Sequence, residues 1–344
     1  MKKLFVLIVV LLFATSVTFA KTSQSLDVLP LMSSQSAQQN RLWVGTFQLA
    51  WNDLMDGIVN GPVKFTGGTP ALVKALNKQT FKAEDLSESS YYKTYGETSP
   101  ELKVEIETAI KEKFNETSDI LDMFDWTYQP DKMFIYAMLK KDFKFLHAFD
   151  KLSDGVFAKN YTPVKYFGIN EDSDKKLYKN VDVMFYNSAE DFAVKLYTKD
   201  KDIVMLYRTN DDTTFDKYYS EMNKKAKKFN GDKKFNSDDK LRVPDINLYQ
   251  ETRFKDVEGH RIKGTNFKID ATIETVDFRM NNEGVKLKSE AAIMMKCLAM
   301  PIERGRNFYY TDNFVLFLIE KGQKTPYYAM RVADVETLNK TGKK

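Results

Sequence analysis

Asn281-Asn282-Glu283-Gly284-Val285-Lys286-Leu287-Lys288-Ser289-Glu290-Ala291-Ala292-Ile293, running on to Met300 and followed at 313–320 by Asn-Phe-Val-Leu-Phe-Leu-Ile-Glu, decides how this 344-residue chain is read. Residues 272–280 alternate and read as a strand, which feeds a turn at Glu283-Gly284. The next sixteen residues, 285–300, hold one Cys and no Gly or Pro. Pro301 and the Gly305 region close that run. Residues 313–320 are apolar at almost every position, as expected of a fully buried strand. In extended form Val285, Leu287, Ser289, Ala291 and Ile293 share one face, and Lys286, Lys288 and Glu290 the other. Two readings stay open. The run is an exposed tether able to become a strand, or it is a buried helix or strand of an ordinary α+β core.

Outward from this stretch the chain starts helical and turns to strands. Residues 42–55 carry Phe47, Ala50, Trp51 and Leu54 at helical spacing. Three glycines and a proline make 60–69 a loop. Thr69-Pro70 and Ser99-Pro100 both look like a cap followed by Pro at the first helical position, opening helices over 71–77 and from Leu102 to about Phe114. From 131 the pattern changes. Strands are predicted at 133–139, 181–186, 192–197 and 203–207, the last two as a hairpin across Lys199–Lys201. A helix follows at 213–228. Residues 241–248 form a strand interrupted by Pro244, hence an edge or a bulge, and 254–262 a short helix. Helices first and mostly antiparallel strands after them give an α+β fold in one domain, 21–344.

Lys2-Lys3, an apolar run over 4–14 and Thr18-Phe19-Ala20 have the layout of a secretory leader over 1–20. The run is short for a membrane span, and no Cys sits at the cleavage point to carry a lipid. The expected location is therefore extracellular or periplasmic. Cys297 is the one cysteine, so no internal disulfide can form and the core alone must hold the fold. The 52 Lys and Arg nearly balance 48 Asp and Glu, which gives no overall field for nucleic acid or anionic lipid. Asn115, Asn160 and Asn339 head Asn-x-Thr sequons.

Catalytic patterns are missing from the sequence. His147 lies among aromatics and His260 beside Gly259, neither at metal-ligand spacing. There is no Gly-x-Ser-x-Gly elbow and no glycine-rich phosphate loop. Cys297 lacks an evident base and orienting partner. The expectation is no enzyme, no cofactor and no metal. Lys224-Lys225-Ala226-Lys227-Lys228 with Lys233-Lys234 is the one basic cluster. It reads as a solvated helix face, diluted by Asp232, Asp238 and Asp239; a polyanion site would need those charges to converge in space.

The order and spacing of these segments resemble the C-terminal part of a serpin. Gly284 matches the hinge glycine of that family and Phe314-Val315-Leu316-Phe317 its re-entry strand. Residues 325–332 match its last strand, and Val243-Pro244-Asp245-Ile246 its Leu-Pro-Lys-Phe segment. Phe145 and Phe149 resemble the aromatic pair after its central strand. The match is best over 131–335; the region 41–125 is shorter than in the family. The resemblance implies helices on a large mostly antiparallel sheet, smaller sheets and an exposed reactive-centre loop. It implies a monomeric secreted inhibitor whose partner is a serine or cysteine protease, with no nucleic acid and no membrane span. The hinge would be Glu283, Gly284, Val285, Leu287 and Ser289, and the reactive bond Leu298–Ala299, with Met295, Lys296, Cys297 and Met300 as neighbouring specificity positions. The other reading it allows is a non-inhibitory member acting as a binding or structural module. Five positions depart from the family: Leu287 is bulky where it has a small residue, Glu274 and Ala137 replace its shutter His and Asn, Met330 a Gly, and Asn313 a Pro.

Overall fold

The computed structural model describes residues 26–286 and 305–341. The expected leader at 1–20, Leu287, Ser289, the Leu298–Ala299 bond, Met295, Lys296, Cys297 and Met300 lie outside them. In chain order the elements are β1 (Asp27–Leu29), β2 (Arg41–Val44), α1 (Thr46–Asp53, continued by a π-helical turn Leu54–Val59), α2 (Ala71–Leu76), β3 (Tyr91–Thr98), α3 (Pro100–Phe114), β4 (Gln129–Leu139) and β5 (Asp142–Lys144). Then come β6 (Asp150–Phe157), β7 (Asn160–Ile169), β8 (Val181–Ser188), β9 (Asp191–Tyr197), β10 (Asp202–Arg208), α4 (Phe215–Lys228), β11 (Lys240–Pro244) and β12 (Ile246–Thr252). The last are β13 (Glu274–Met280), β14 (Gly284–Lys286), β15 (Asn307–Tyr309), β16 (Phe314–Glu320) and β17 (Tyr328–Val332).

A seven-stranded sheet in the order β1-β2-β17-β16-β10-β9-β8 carries the core. Its pairs are antiparallel except β1 with β2. All seven residues of β16 are buried, because both faces are covered. Phe317 meets Tyr219 of α4 at 5.3 Å on one face, and Phe314 meets Tyr310 at 5.4 Å on the other. That explains the unbroken apolar run: a strand packed on both sides has no polar face to show. Two four-stranded sheets, β15-β11-β7-β6 and β12-β13-β14-β5, and a two-stranded sheet, β3-β4, complete the strands. α3 packs over β3 and β4 around a small core of its own that includes Ile106, Ile110, Trp126 and Tyr136.

Several local expectations need correcting. Leu42 belongs to a strand, paired with Met330, so the helix starts at Thr46. Thr69 does not cap α2; its hydroxyl accepts from the Phe65 N–H, and Pro70 stands at the N-cap. Ser99 does cap α3, its hydroxyl accepting from the Leu102 N–H at 3.2 Å. Residues 254–262 form turns closed by backbone bonds to 267–269 rather than a helix, although Phe254, Val257 and Ile262 are buried. Pro244 marks neither an edge nor a bulge: β11 is an inner strand, and beyond Pro244 the chain crosses to another sheet as β12. The His260 ring stacks on Phe65 at 4.7 Å.

Candidate functional site

Tyr and Thr dominate β3, which suits a pleated surface, and β3 pairs with β4 from Tyr91↔Leu139 to Thr98↔Gln129. On the other side, β13 pairs with β12 along its whole length, Ile246↔Met280 to Thr252↔Glu274. Among the described residues, β4 and β13 do not pair with each other. A cavity of about 150 Å³ lies between them, walled by residues 135–140 and 273–277. Phe47 and Ala50 of α1 and residues 116–120 also line it. Among the described residues, the two strand edges thus face each other across a groove with no ladder between them.

The top of this groove is filled. β14 lies between β13 and β5 and is antiparallel to both, with Val285 beside Met280 on one side and Phe143 on the other. Val285 is fully buried, which corrects the expectation that the exposed tether begins at this residue. Gly284 is required here by close approach rather than by turn conformation. A Cβ at that position would sit 2.2 Å from the Phe143 carbonyl oxygen and 2.7 Å from the Lys144 Cα. The turn before it is clamped to the neighbouring chain: the Glu283 carbonyl accepts from the Phe145 N–H and the Asn282 carbonyl from the Phe149 N–H. Asn281 Oδ1 in turn accepts from the Glu283 N–H at 2.9 Å. Lys286, at the open end, reaches Asp142 at 3.7 Å.

Glu274 and Ala137 meet the same groove from opposite walls. Glu274 is buried, and one carboxyl oxygen accepts from the Phe47 N–H in the first turn of α1 at 3.1 Å. The other oxygen has no hydrogen-bond partner. Burial pushes this carboxyl up to about 8, with the Phe47 N–H pulling the other way. It is therefore largely protonated at neutral pH, as a fully buried carboxyl with no cation to offset its desolvation must be.

A second polar group lies just beyond the end of β4. Lys141 lies 2.9 Å from Asp202 and also pairs with Glu320, all three buried. Tyr327 donates its hydroxyl to Asp202 at 2.8 Å, and the Ser90 hydroxyl donates to Glu320 at 3.1 Å. Burial holds the Asp202 carboxyl above its ordinary value against the pull of Lys141. For Glu320, burial is outweighed by Lys141 and Ser87, and its carboxyl falls below the usual range. The network joins the link between β4 and β5 to β10, β16 and the residue before β17, so it ties that link to the seven-stranded sheet.

Of the expected hinge, Glu283, Gly284 and Val285 are brought together here. Sequence reasoning missed that the turn is already wedged into the sheet, and that Lys141 anchors the far wall. Tyr91-Tyr92-Lys93-Thr94-Tyr95 was a readable strand signal for β3. Lys141, in a run of Lys140-Lys141-Asp142, gave no sign of burial. Among the described residues no group of three or more His, Cys, Asp or Glu could hold a metal ion, and no helix is long and apolar enough to cross a membrane.

The fold these parts make is α+β, with helices on a large mostly antiparallel sheet and smaller sheets beside it. Similar solved structures include a thyroxine-binding globulin complexed with thyroxine, at TM-score 0.45 and 10% identity over 69% of this chain and 65% of that one. A human thyroxine-binding globulin matches at 0.43 and 9% over 70% and 66%. Serpin48, described as a highly specific serpin in the insect Tenebrio molitor, matches at 0.43 and 15% over 78% and 73%. The chain spans just under two thirds of the length of the two globulin structures. No protein-family model and no curated protein matches it.

Proposed function

We propose that the chain is a secreted serpin-like protease inhibitor that offers residues 285–300 as bait, with Leu298–Ala299 as the bond cut. The observation that carries this reading is the placement of β14. It enters the sheet between β13 and β5 and points down the open groove between β13 and β4. Continued in the same register, Leu287 comes beside Phe278 and Lys141, and Ser289 beside Val276 and Leu139. Ala291 then comes beside Glu274 and Ala137. The same face carries Val285, so the alternation of the segment matches the pleat it would join.

A serine or cysteine protease attacking the Leu298 carbonyl forms an acyl-enzyme and frees the amine of Ala299. The released upstream half is then able to extend β14. Each ladder hydrogen bond gained contributes about 1 kcal/mol net, and one row of side chains is buried. If this extension outruns deacylation, the protease is carried along and held as the ester or thioester. The uncut chain is on this account a metastable state.

A second reading, a member that is cut but does not trap, is favoured by one observation. Insertion must lay a new strand against the already buried and unpartnered oxygen of Glu274. Incubation with chymotrypsin, elastase, subtilisin and trypsin, followed by denaturing gels, separates the two. An SDS-stable complex supports trapping; cleavage within 285–300 without one supports the second reading. No cleavage within 285–300 by any of the four overturns both.

A further inference from the structure

The register of the seven-stranded sheet sets two acids directly opposite each other. Asp202, at the start of β10, is the cross-strand partner of Glu320, at the end of β16. Like charges in that position repel, and here both side chains are buried. Lys141 enters from the link between β4 and β5. It puts Nζ 2.9 Å from Asp202 Oδ1 and 2.5 Å from Glu320 Oε1. The side chains of Lys141, Asp202 and Glu320 are 7%, 8% and 4% exposed.

A buried ion triad stabilises weakly, because desolvation offsets most of the attraction. This one holds more than charge balance requires. The Tyr327 hydroxyl, itself fully buried, donates to Asp202 Oδ1 at 2.8 Å, and the Tyr327 ring covers Nζ at 4.9 Å. A donor placed there polarises the carbonyl and holds the oxyanion of a tetrahedral adduct. Glu320 accepts from the Ser87 N–H at 3.0 Å and from the hydroxyls of Ser87 and Ser90. These donors keep it an anion independently of the charge on Lys141. The two acids are pushed apart. Burial raises the Asp202 carboxyl, whereas at Glu320 burial is outweighed by Lys141 and Ser87. A shared proton therefore belongs on Asp202, and Glu320 is left to act as a base. A buried lysine gives up its proton readily, and this one is held against an electrophile with water excluded.

We propose that Lys141 and Asp202 condense to an intramolecular amide, with Glu320 as the proton carrier and Tyr327 as the donor to the carbonyl oxygen. Transfer of one proton from the ammonium to the Asp202 carboxylate gives amine and acid. The Nζ lone pair attacks Cγ of Asp202. Glu320 takes a proton from the nitrogen of the adduct and passes it to Oδ2, which leaves as water. The Nζ–Cγ bond forms, the Cγ–Oδ2 bond breaks, and nothing is oxidised or reduced. Two buried charges vanish, and the amide keeps Glu320 for its N–H and Tyr327 for its oxygen. The bond closes the chain between residues 141 and 202 and pins the end of β4 to the seven-stranded sheet. It supplies a cross-link in a sequence whose single cysteine allows no internal disulfide. It is independent of protease trapping.

The test is the intact mass of the full chain, purified folded, then denatured, with its ends fixed by peptide mapping. The expected mass is below that of the sequence by one water. Tryptic digestion should yield a branched peptide joining the segments around Lys141 and Asp202. Lys141→Arg should have the full mass and no branched peptide. Asp202→Asn should react with loss of ammonia in place of water and give the same branched peptide. Glu320→Gln, of equal size, should leave most chains unlinked, the rate falling about 100-fold or more. The full sequence mass in the folded unsubstituted chain, with no branched peptide after incubation at neutral pH, overturns the proposal; the three groups are then an ion triad only. A water loss that persists in Lys141→Arg, or that maps to other residues, also overturns it. A link formed equally fast in Glu320→Gln removes the role given to Glu320.

Discussion

Glu274 places a carboxyl with one unpartnered oxygen in the wall of a cavity inside a sheet. Its folded pKa, near 8, lies above the usual carboxylate value, so the folded state holds a proton that the unfolded chain gives up. Stability is then highest below about pH 4.5 for this group and falls as pH rises toward 8. Glu274→Gln keeps an oxygen for the Phe47 N–H and removes the ionisation. Denaturant titrations should find the variant more stable at pH 7 by on the order of 3 kcal/mol, with the difference vanishing near pH 4. An unchanged difference across that range would mean the carboxyl is paired or wet. Lys141→Met acts in the opposite direction, since it leaves Asp202 and Glu320 buried beside each other without their cation. A loss of about 3–5 kcal/mol is expected by the same titration. Neither role was legible in the sequence. Glu274 sits in a stretch that mixes apolar and polar residues and Lys141 in a run of three charges, and only the fold reveals that both point inward.

At the scale of elements, β14 was read correctly as a turn followed by an extended segment, but its start was misplaced. The sequence shows Gly284 and expects a hinge. The reason for the glycine lies in β5, about 140 residues away in the chain, whose backbone leaves no room for a Cβ. Gly284→Ala should therefore cost about 1–3 kcal/mol through forced backbone shifts, seen as a lower denaturation midpoint. It should also speed amide exchange at Phe145, which is bonded to the Glu283 carbonyl. Unaltered exchange at Phe145 would show that β14 is not clamped there. β16 was the most legible element, since burial on both faces leaves a continuous apolar run. The strands β6 and β7 were not read, because Asp150, Ser153, Asp154 and Asn160 break any apolar pattern in a sheet that is exposed along that edge. The helix expected over 254–262 failed for a related reason: its apolar spacing serves a compact loop that buries the same three side chains.

At the scale of the whole molecule, two sheets, β3-β4 and β12-β13-β14-β5, lie near each other with a seam between β4 and β13. α+β class, the antiparallel hairpin of β9 and β10 and the re-entry strand could all be argued from residue patterns. The seam could not, because an unpaired edge leaves no mark on the strand that bears it. A molecule with an unfinished ladder should gain stability when a strand completes it. Cleavage within 285–300 is thus expected to raise the melting temperature, whereas a cut in an ordinary loop lowers it or leaves it alone. The most direct measurement is backbone amide exchange over residues 135–139 of β4 and 274–278 of β13, before and after that cleavage. Protection rising by tenfold or more on both strands together is the predicted result. Exchange unchanged on either strand in the cleaved protein would contradict the claim that the groove receives a strand.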